Sequence, residues 1–346
     1  MAPVLQEADQ RGWKINIVYT GQHKNSMDDL KRDFDLKTEW STIYSGKEVN
    51  TIPAAVFWLF NIFTRILFTP RSLLAPVDKE HDIILVHGDT FSTILGALLG
   101  RRLGIKVAHI ESGLTSGNLF HPFPEELTRK LTFRLSDIAF CPGEWACLNL
   151  SHLRKLEIIN TGENTLIDAL RYALNKNHST SNLPQHYGVV SIHRFENIFN
   201  KNRFMEIIQQ LITVSEQTPL IFVLHPATRK RLIKAGLFDT LANNPRFSLK
   251  DRTYYTDFIS ILAKSEFVIT DGGSNQEELF FMGIPTYLMR KTTERTEGIN
   301  QNVVLGGYKK ESLNEFLNNL ERYRIKPYFT NLQPSKTIAD RISQYS

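Results

Sequence analysis

The strongest constraint on the fold is an alternation of short apolar runs with helix-like stretches, which begins at Asp82. Apolar runs such as Asp82–Val86 and Leu220–Leu224 are typical of parallel strands that are covered on both faces. Each run is followed by a stretch with helical periodicity. A repeated strand–helix order predicts doubly wound parallel sheets, so we expect an α/β fold.

The alternation occurs twice, on either side of a polar stretch, Asn175–Gln185, that has the composition of a linker. The length of 346 residues also suggests two domains. We therefore expect a Rossmann-like domain over residues 1–170 and a second over residues 171–331. We expect a C-terminal helix at about 332–346 to pack back onto the first domain.

Composition excludes several classes of protein. The net charge of +5 is diffuse, which argues against a nucleic-acid partner. The two cysteines, Cys141 and Cys147, are too few for a disulfide scaffold and fit the reducing cytosol. The sequence has no HExxH, paired CxxC or GxGxxG pattern, so we expect neither a metal nor a nicotinamide cofactor. No signal peptide is visible, and we expect a cytoplasmic protein.

One segment, Ile52–Phe68, is rich in aromatic and aliphatic side chains. It is short for a membrane span, and Asn61, Thr64 and Arg65 interrupt it. Two interpretations stay open: a buried helix or subunit contact, and a helix that lies on a membrane surface. We expect a homodimer, with peripheral membrane contact through residues 52–68 as the alternative.

Acidic side chains follow the predicted strands of the first half. Asp89 and Glu111 come directly after two adjacent strands, and Glu125 begins a helix a little further on. His193 follows the first strand of the second half. Ligands of parallel sheets bind beyond the carboxyl ends of the strands. Carboxylates held close together raise one another's pKa, so this set indicates acid–base chemistry.

The second half carries groups that suit a nucleotide diphosphate. Residues 270–275, Thr-Asp-Gly-Gly-Ser-Asn, link a strand to a helix whose free backbone N–H groups suit a phosphate. By itself this loop would be a simple glycine-containing turn. Arg295 offers a planar fork for phosphate oxygens, and His225 follows a neighbouring strand. Glu278, one turn into the helix, is placed to accept hydrogen bonds from ribose hydroxyls.

Six motifs stand in the order and at the spacing of a known family. They are VHGDT (86–90), HIESGL (109–114), PFPEELTRK (122–130), IHRFEN (192–197), TDGGSNQEE (270–278) and RKTTERTEG (290–298). Over nearly its whole length the chain resembles the non-hydrolysing UDP-N-acetylglucosamine 2-epimerases. The resemblance implies a GT-B type fold, two Rossmann-like domains with UDP on the second.

The resemblance also implies a mechanism without an external cofactor. UDP is eliminated from C1 of the sugar while a proton leaves C2, which gives a glycal intermediate. UDP then adds back, and a proton returns to C2 on the opposite face. By motif position, the catalytic residues are Asp89, Glu111, Glu125 and His193. Which acid takes the C2 proton stays open.

Further roles follow from the same motif positions. Arg129, four residues after Glu125, contacts the sugar or pairs with that acid. Phe258 stacks near the uracil or is a core aromatic. The positions that match UDP contacts are His225, Phe258, Gly273, Ser274, Glu278 and Arg295. Gln22 and Asn25 match positions that in some members contact a second, activating UDP-sugar.

The sequence departs from the family pattern at two places. Members usually have Ser-Gly-Gly-Ile after Asp271, where this chain has Gly272, Gly273, Ser274 and Asn275. They also open with a strand and a Gly-Thr-Arg-Pro-Glu loop before the helix that begins here at Met1. The first sheet therefore lacks its first strand, and we expect Met1 to be an internal methionine. The strands at residues 14–20 and 82–87 are then expected to lack a common neighbour.

The resemblance implies an isomerase that interconverts UDP-GlcNAc and UDP-ManNAc for surface polysaccharide biosynthesis. Four alternatives stay open: a hydrolysing relative that releases UDP and ManNAc, an epimerase of a modified UDP-HexNAc, a GT-B glycosyltransferase, and a non-catalytic UDP-sugar binder. A glycosyltransferase would need an acceptor, whereas an epimerase turns over UDP-GlcNAc alone.

Overall fold

A computed structural model describes residues 1–21, 26–44, 52–74, 76–117, 124–176, 183–293 and 295–345. The chain divides into two units. The first unit comprises Met1–Ala169 together with Asn331–Ser346, and the second comprises Leu170–Thr330. Each unit is organised around parallel β-strands that alternate with helices.

The first unit begins with a helix and then alternates strands with helices. Its strands are β1 (Ile17–Tyr19), β2 (Trp40–Thr42), β3 (Ile83–His87), β4 (Lys106–Ile110), β5 (Ile138–Cys141) and β6 (Glu157–Asn160). Its helices are α1 (Ala2–Gln10), α2 (Ser26–Asp33), α3 (Ile52–Phe68), α4 (Phe91–Leu103), α5 (Glu125–Leu135), α6 (Glu144–Leu150), α7 (Leu166–Asn175), which continues into the second unit, and the C-terminal α16 (Pro334–Ile342). A 3-10 turn at Pro70–Leu73 follows α3.

The strands of the first unit form two parallel sheets. Strands β3, β4, β5 and β6 pair in that order, and β5 is buried along its whole length. Such burial is expected of a strand that is covered on both faces. Among the described residues, β1 pairs with β2 alone. Among the residues that the structure describes, the strands predicted at residues 14–20 and 82–87 therefore lie in separate sheets.

Helices from opposite ends of the chain complete the core of the first unit. Helix α1 packs against α16. Val4 and Ile338 are fully buried, in one cluster with Ile110 and Phe140 of the sheet. The apolar spacing along both helices thus buries one face of each on the ends of β4 and β5.

Helix α3 spans the whole of the apolar segment that the sequence singles out. One face packs on the first unit, where Trp58 and Ile62 are buried with Leu95 of α4. The opposite face is exposed, and we call it the α3 stripe: Val56, Phe57, Phe60, Phe63, Leu67 and Phe68. Within the described ranges, none of the helices combines the length and the apolarity that crossing a bilayer requires.

The second unit also alternates strands with helices. Its strands are β7 (Gly188–Ser191), β8 (Leu220–Leu224), β9 (Phe247–Asp251), β10 (Phe267–Thr270), β11 (Thr286–Leu288) and β12 (Val303–Leu305). Its helices are α8 (Phe195–Ile198), α9 (Lys201–Gln217), α10 (Pro226–Lys234), α11 (Phe238–Ala242), α12 (Tyr255–Ala263), α13 (Gly273–Met282), α14 (Lys310–Asn318) and α15 (Leu320–Tyr323).

All six strands of the second unit form one parallel sheet in the order β12-β11-β10-β7-β8-β9. Strands β8 and β10 are buried throughout, which explains why their apolar runs could be read directly from the sequence. The sequence analysis missed the two outer strands, β9 and β12. Both are partly exposed; β9 ends in Lys250 and Asp251, and the apolar run of β12 is only three residues long.

We expect Ile338→Ala to lower the free energy of unfolding of the first unit by about 2–5 kcal/mol, because it leaves a cavity among buried side chains. Denaturant unfolding followed by tryptophan fluorescence reports on this unit, since all tryptophans of the chain belong to it. Lys336→Ala, on the exposed face of the same helix, is the control and is expected to change stability by less than about 0.5 kcal/mol. Equal effects of the two substitutions would contradict the role of α16 in this core.

Candidate functional site

The two acidic residues predicted at strand ends lie next to each other in the first unit. Asp89 follows β3 after Gly88, whose φ of 72° allows the tight turn that begins the next loop. Glu111 follows β4, which pairs with β3 in register. Glu111 itself has a φ of 63°. A left-handed backbone at a residue with a Cβ costs about 1–3 kcal/mol and clusters at functional sites.

Glu111 is held by two neighbouring side chains. Asn164 Nδ2 donates to Glu111 Oε1 at 2.9 Å. His87 Nε2 lies 3.6 Å from Glu111 Oε2. The side chain of Glu111 is only 13% exposed, so these polar neighbours replace much of the water around its carboxylate.

Arg129 is shared between two carboxylates. Its Nη2 lies 2.5 Å from Asp89 Oδ2, and its Nη1 lies 3.3 Å from Glu126 Oε2. Glu126 is fully buried and also accepts hydrogen bonds from the hydroxyl of Thr115 and from the backbone N–H of Ser116. These three donors compensate the buried charge of Glu126, and Glu126 in turn fixes the guanidinium that contacts Asp89. The sequence predicts that Arg129 contacts the sugar or pairs with Glu125; in the structure its ion pairs are with Asp89 and Glu126, and the sugar contact stays a prediction.

The pKa of Asp89 reflects a cluster of three carboxylates. Burial raises this pKa, the Arg129 guanidinium lowers it, and the charges of Glu111 and Glu125 raise it further, with a net upward shift. Glu125 Oε2 is buried and has no hydrogen-bond partner among the described residues. The cluster therefore joins a carboxyl group that holds its proton more readily with a buried carboxylate oxygen to which none of the described residues donates.

His109, a buried residue of β4, contacts the two loops that carry Asp89 and Glu111. Its Nε2 lies 2.7 Å from the carbonyl oxygen of Gly88, and its Nδ1 lies 3.0 Å from Ser112 Oγ. A carbonyl only accepts, so Nε2 carries the proton and Nδ1 accepts from the serine. Burial lowers the pKa of His109 to about 4, which keeps the ring neutral at ordinary pH. His109 thus ties the loop of Asp89 to the loop of Glu111.

In the second unit, a buried carboxylate organises the loop that carries His193. Asp271, at the end of β10, is fully buried and accepts from the backbone N–H groups of His193 and Arg194, at 2.9–3.1 Å. Asn197 Nδ2 donates to the same carboxylate at 2.8 Å. His193 Nδ1 lies 3.3 Å from Asp271 Oδ1. The imidazole is 39% exposed, so it is oriented from one side and accessible from the other.

His225 lies beside His193. It caps α10, where its Nδ1 accepts from the backbone N–H of Ala227 at 3.3 Å. The two imidazole rings are 5.7 Å apart between centroids. This pair lies where β7 and β8 end, which is the edge that the sequence predicts for anion binding.

Helix α13 begins at the same edge of the second sheet. Gly273 and Ser274 form its first turn; Gly273 is buried and Ser274 is exposed. Glu278 is buried, and burial raises its pKa to about 7, against hydrogen bonds from Asn275 and Tyr255. Arg295 forms an ion pair with Glu277 of the same helix. The guanidinium is therefore fixed by a buried carboxylate rather than extended into solvent.

The roles predicted for Phe258, Gln22 and Asn25 stay predictions. Phe258, on α12, is half-buried, so the structure leaves open both the uracil contact and the core role. Gln22 and Asn25 lie outside the described residues. In the ranges that the structure does describe, no three or more His, Cys, Asp or Glu side chains come together as a metal site.

The sequence analysis missed several residues that orient the predicted ones. Glu126, His109 and Asp271 are all buried and act through a neighbour rather than by facing the strand edge. Each lies inside a motif quoted above, one to three residues from a predicted site residue. Their position inside a motif is the signal that the sequence offers. The direction in which each side chain points is seen only in the structure.

We expect the buried His109 to make stability depend on pH. The unfolded chain takes up a proton near pH 6.5 and the folded chain only near pH 4. Stability is therefore lost as the pH falls through this window, by about 1.4 kcal/mol per pH unit and about 3 kcal/mol in all. Denaturant unfolding of the first unit at several pH values measures this slope.

His109→Gln is the matched variant, because a glutamine amide can still donate to the Gly88 carbonyl but does not titrate. Its stability is expected to vary less between about pH 6.5 and pH 4 than that of the natural chain. An unchanged slope would mean that His109 is not the group responsible.

Comparison with known proteins identifies the family. The profile of the family described as UDP-N-acetylglucosamine 2-epimerase matches residues 6–341. A UDP-N-acetylglucosamine 2-epimerase of Campylobacter jejuni is 31% identical over 323 residues, which cover 88% of this chain and 81% of that protein. The protein of the same name from Bacillus subtilis is 31% identical over 305 residues, which cover 86% of this chain and 77% of that protein.

Solved structures agree with this result. Methanocaldococcus jannaschii UDP-GlcNAc 2-epimerase, in complex with UDP-GlcNAc and UDP, aligns with a TM-score of 0.82 at 26% identity, over 100% of this chain and 96% of that one. The Neisseria meningitidis enzyme bound to UDP-GlcNAc gives a TM-score of 0.82 at 25% identity, over 99% and 96%. The expected fold class, two Rossmann-like parallel-sheet domains of GT-B type, is confirmed. The chain belongs to the UDP-N-acetylglucosamine 2-epimerase family.

Proposed function

We propose that the protein is a non-hydrolysing 2-epimerase that interconverts UDP-GlcNAc and UDP-ManNAc. The observation that carries the proposal is the cluster of Asp89, Glu111 and Glu125, in which burial and mutual charge raise the pKa of Asp89. Two similar proteins of solved structure bind UDP-GlcNAc, which supports the choice of substrate.

The proposed reaction needs proton transfer at C2 on both faces of the sugar. In the first half, the C1–O bond breaks with its electron pair leaving on UDP, and a carboxylate takes the C2 proton. In the second half, UDP adds back to C1 and a carboxylic acid returns a proton to C2 from the other face. The cluster offers three carboxyl groups for this exchange, and the raised pKa of Asp89 makes it the one that takes up a proton more readily.

The second unit supplies groups that suit the UDP moiety. The N–H groups of the first turn of α13 and the accessible imidazole of His193 are complementary to a diphosphate. They are placed to stabilise the charge that develops on departing UDP. Glu278 offers carboxylate oxygens to ribose hydroxyls. His225, Phe258, Ser274 and Arg295 complete the proposed set of contacts.

We further propose that the enzyme works in the cytoplasm, in the supply of sugars for surface polysaccharide. Cys141 and Cys147 are both free thiols in the structure, which suits a reducing compartment. The polysaccharide role rests on the family resemblance.

We expect purified protein to incorporate deuterium at C2 when it is incubated with UDP-GlcNAc in deuterated water. Asp89→Asn and Glu111→Gln are each expected to slow this exchange by at least about 100-fold, because each removes a proton-transfer group. UDP affinity is expected to change less than about twofold in both variants, since the binding groups are on other elements. Proton NMR measures the exchange, and calorimetry measures the affinity.

Glu144→Gln, at the exposed start of α6, is the matched control and is expected to retain full exchange. The same spectra distinguish the other functions. Free ManNAc would indicate the hydrolysing reaction, and UDP binding without any exchange would indicate a binder. Normal exchange in Asp89→Asn would contradict the role given to Asp89.

We also propose that the α3 stripe is the contact between two copies of the chain. Its six exposed apolar side chains present roughly 600 Å² of apolar surface, taking about 200 Å² for a whole aromatic side chain. That is at the upper end of what monomers expose and approaches the about 800 Å² per partner of a standard interface. The one charged residue of α3, Arg65, donates to the carbonyl of Ile43, so cations that could attract anionic lipid come from flanking positions such as the exposed Arg71 rather than from the helix.

We expect Phe60→Glu to convert a dimer into a monomer, because it places a charge in the middle of the stripe. Light scattering after gel filtration measures the mass. Phe199→Glu, at a similarly exposed phenylalanine of the second unit, is the control and is expected to leave the dimer intact. A monomeric natural chain that sediments with anionic vesicles, and stops doing so in Phe60→Glu, would support the membrane alternative instead.

A further inference from the structure

The loop between β10 and α13 differs from the family pattern at Gly272 and Asn275, and the structure links these two positions. The backbone N–H of Gly272 donates to Thr270 Oγ1 at 3.1 Å. The same hydroxyl donates to Asn275 Oδ1 at 3.2 Å. Asn275 therefore joins the end of the strand to the first turn of the helix.

The other end of the Asn275 side chain contacts a buried carboxylate. Asn275 Nδ2 donates to Glu278 Oε2 at 3.0 Å. Glu278 is 3% exposed, and burial disfavours its charged form, whereas a hydrogen bond to the carboxylate favours it. An ionised carboxylate has about four acceptor positions. Asn275 uses one of them, so acceptor capacity remains for a ligand.

Gly272 provides the space that this arrangement needs. A Cβ at position 272 would lie 2.7 Å from Asn275 Oδ1 and 3.1 Å from His193 Cε1. The first distance is shorter than real Cβ contacts, so a larger residue would displace the asparagine amide. A side chain at 272 and the observed position of Asn275 are therefore mutually exclusive.

We propose that Asn275 is a positioning residue that orients Glu278 as the ribose acceptor, and that Gly272 leaves the space for this contact. The inference rests on the proposed function, because it takes Glu278 as a ribose contact. It adds that this chain fixes its ribose acceptor through a side-chain amide in the first turn of α13.

The groups around Glu278 decide how the test must be designed. Tyr255, at the start of α12, is a titratable neighbour that favours the charged form of Glu278. Glu277, next along α13, is paired with Arg295. His193, a proposed diphosphate contact, lies beside Gly272. A ligand without ribose is therefore needed as a reference for the diphosphate contacts.

The experiment compares UDP with inorganic pyrophosphate, which has no ribose, by calorimetry from about pH 6 to about pH 8.5. Asn275→Ala is expected to weaken UDP binding about 5- to 10-fold at pH 7, because loss of one hydrogen bond to the carboxylate raises its pKa and disfavours the charged acceptor. The loss is expected to be recovered as the pH rises. Pyrophosphate affinity is expected to change less than about twofold at every pH.

Three further variants keep the result specific. Gly272→Ala is expected to weaken UDP binding relative to pyrophosphate binding, as Asn275→Ala does. When the two substitutions are combined, no further loss of UDP affinity is expected. In a Glu278→Gln background, Asn275→Ala is expected to leave the pH profile unchanged. Asn314→Ala, at an exposed position of α14, is the control for the substitution itself.

The outcomes separate this inference from the proposed function. If the natural chain fails to bind UDP, both are overturned. If UDP binds and Asn275→Ala shows the same affinity and the same pH midpoint as the natural chain, only the role of Asn275 is overturned. Equal losses for UDP and pyrophosphate would assign Asn275 to the shape of the loop and would also overturn it.

Discussion

Parallel pairing of buried strands is the constraint on which both units depend. A strand covered on both faces cannot hold a charged side chain along its length, so polar groups gather where the strands end. In the first unit this edge holds Asp89 and Glu111, in loops joined by His109. In the second unit the corresponding edge holds His193 and Asp271.

Burial at these edges makes each charge depend on its partners. Arg129 lies between Asp89 and Glu126, so one guanidinium compensates a fully buried carboxylate and also moderates the pKa of a half-buried one. Without Glu126, the arginine would have a single partner and more rotational freedom. In the carboxylate cluster of the first unit, opposite charges therefore compensate one another. The buried Glu126 fixes Arg129, and Arg129 in turn contacts the more accessible Asp89.

In the second unit, buried carboxylates likewise orient the groups near the strand ends, but these groups are an imidazole and a guanidinium. Asp271 receives N–H groups from the loop of His193 and so sets the direction of that imidazole. Asn275 binds Glu278 at the start of α13, and Glu277 binds Arg295. His193 and Arg295, both proposed to contact the nucleotide, thus have buried carboxylate neighbours that limit their motion before any ligand arrives, which lowers the entropy cost of binding.

The sequence by itself determined the α/β class, the central strands and the residues at their ends, because apolar runs and motif spacing are local properties. It also predicted helix α3 with its observed bounds. It did not reveal the outer strands β9 and β12, or the roles of Glu126 and Asn275. Those depend on which side chains face one another across loops, and only the tertiary structure decides that, because burial and direction are set by distant parts of the chain.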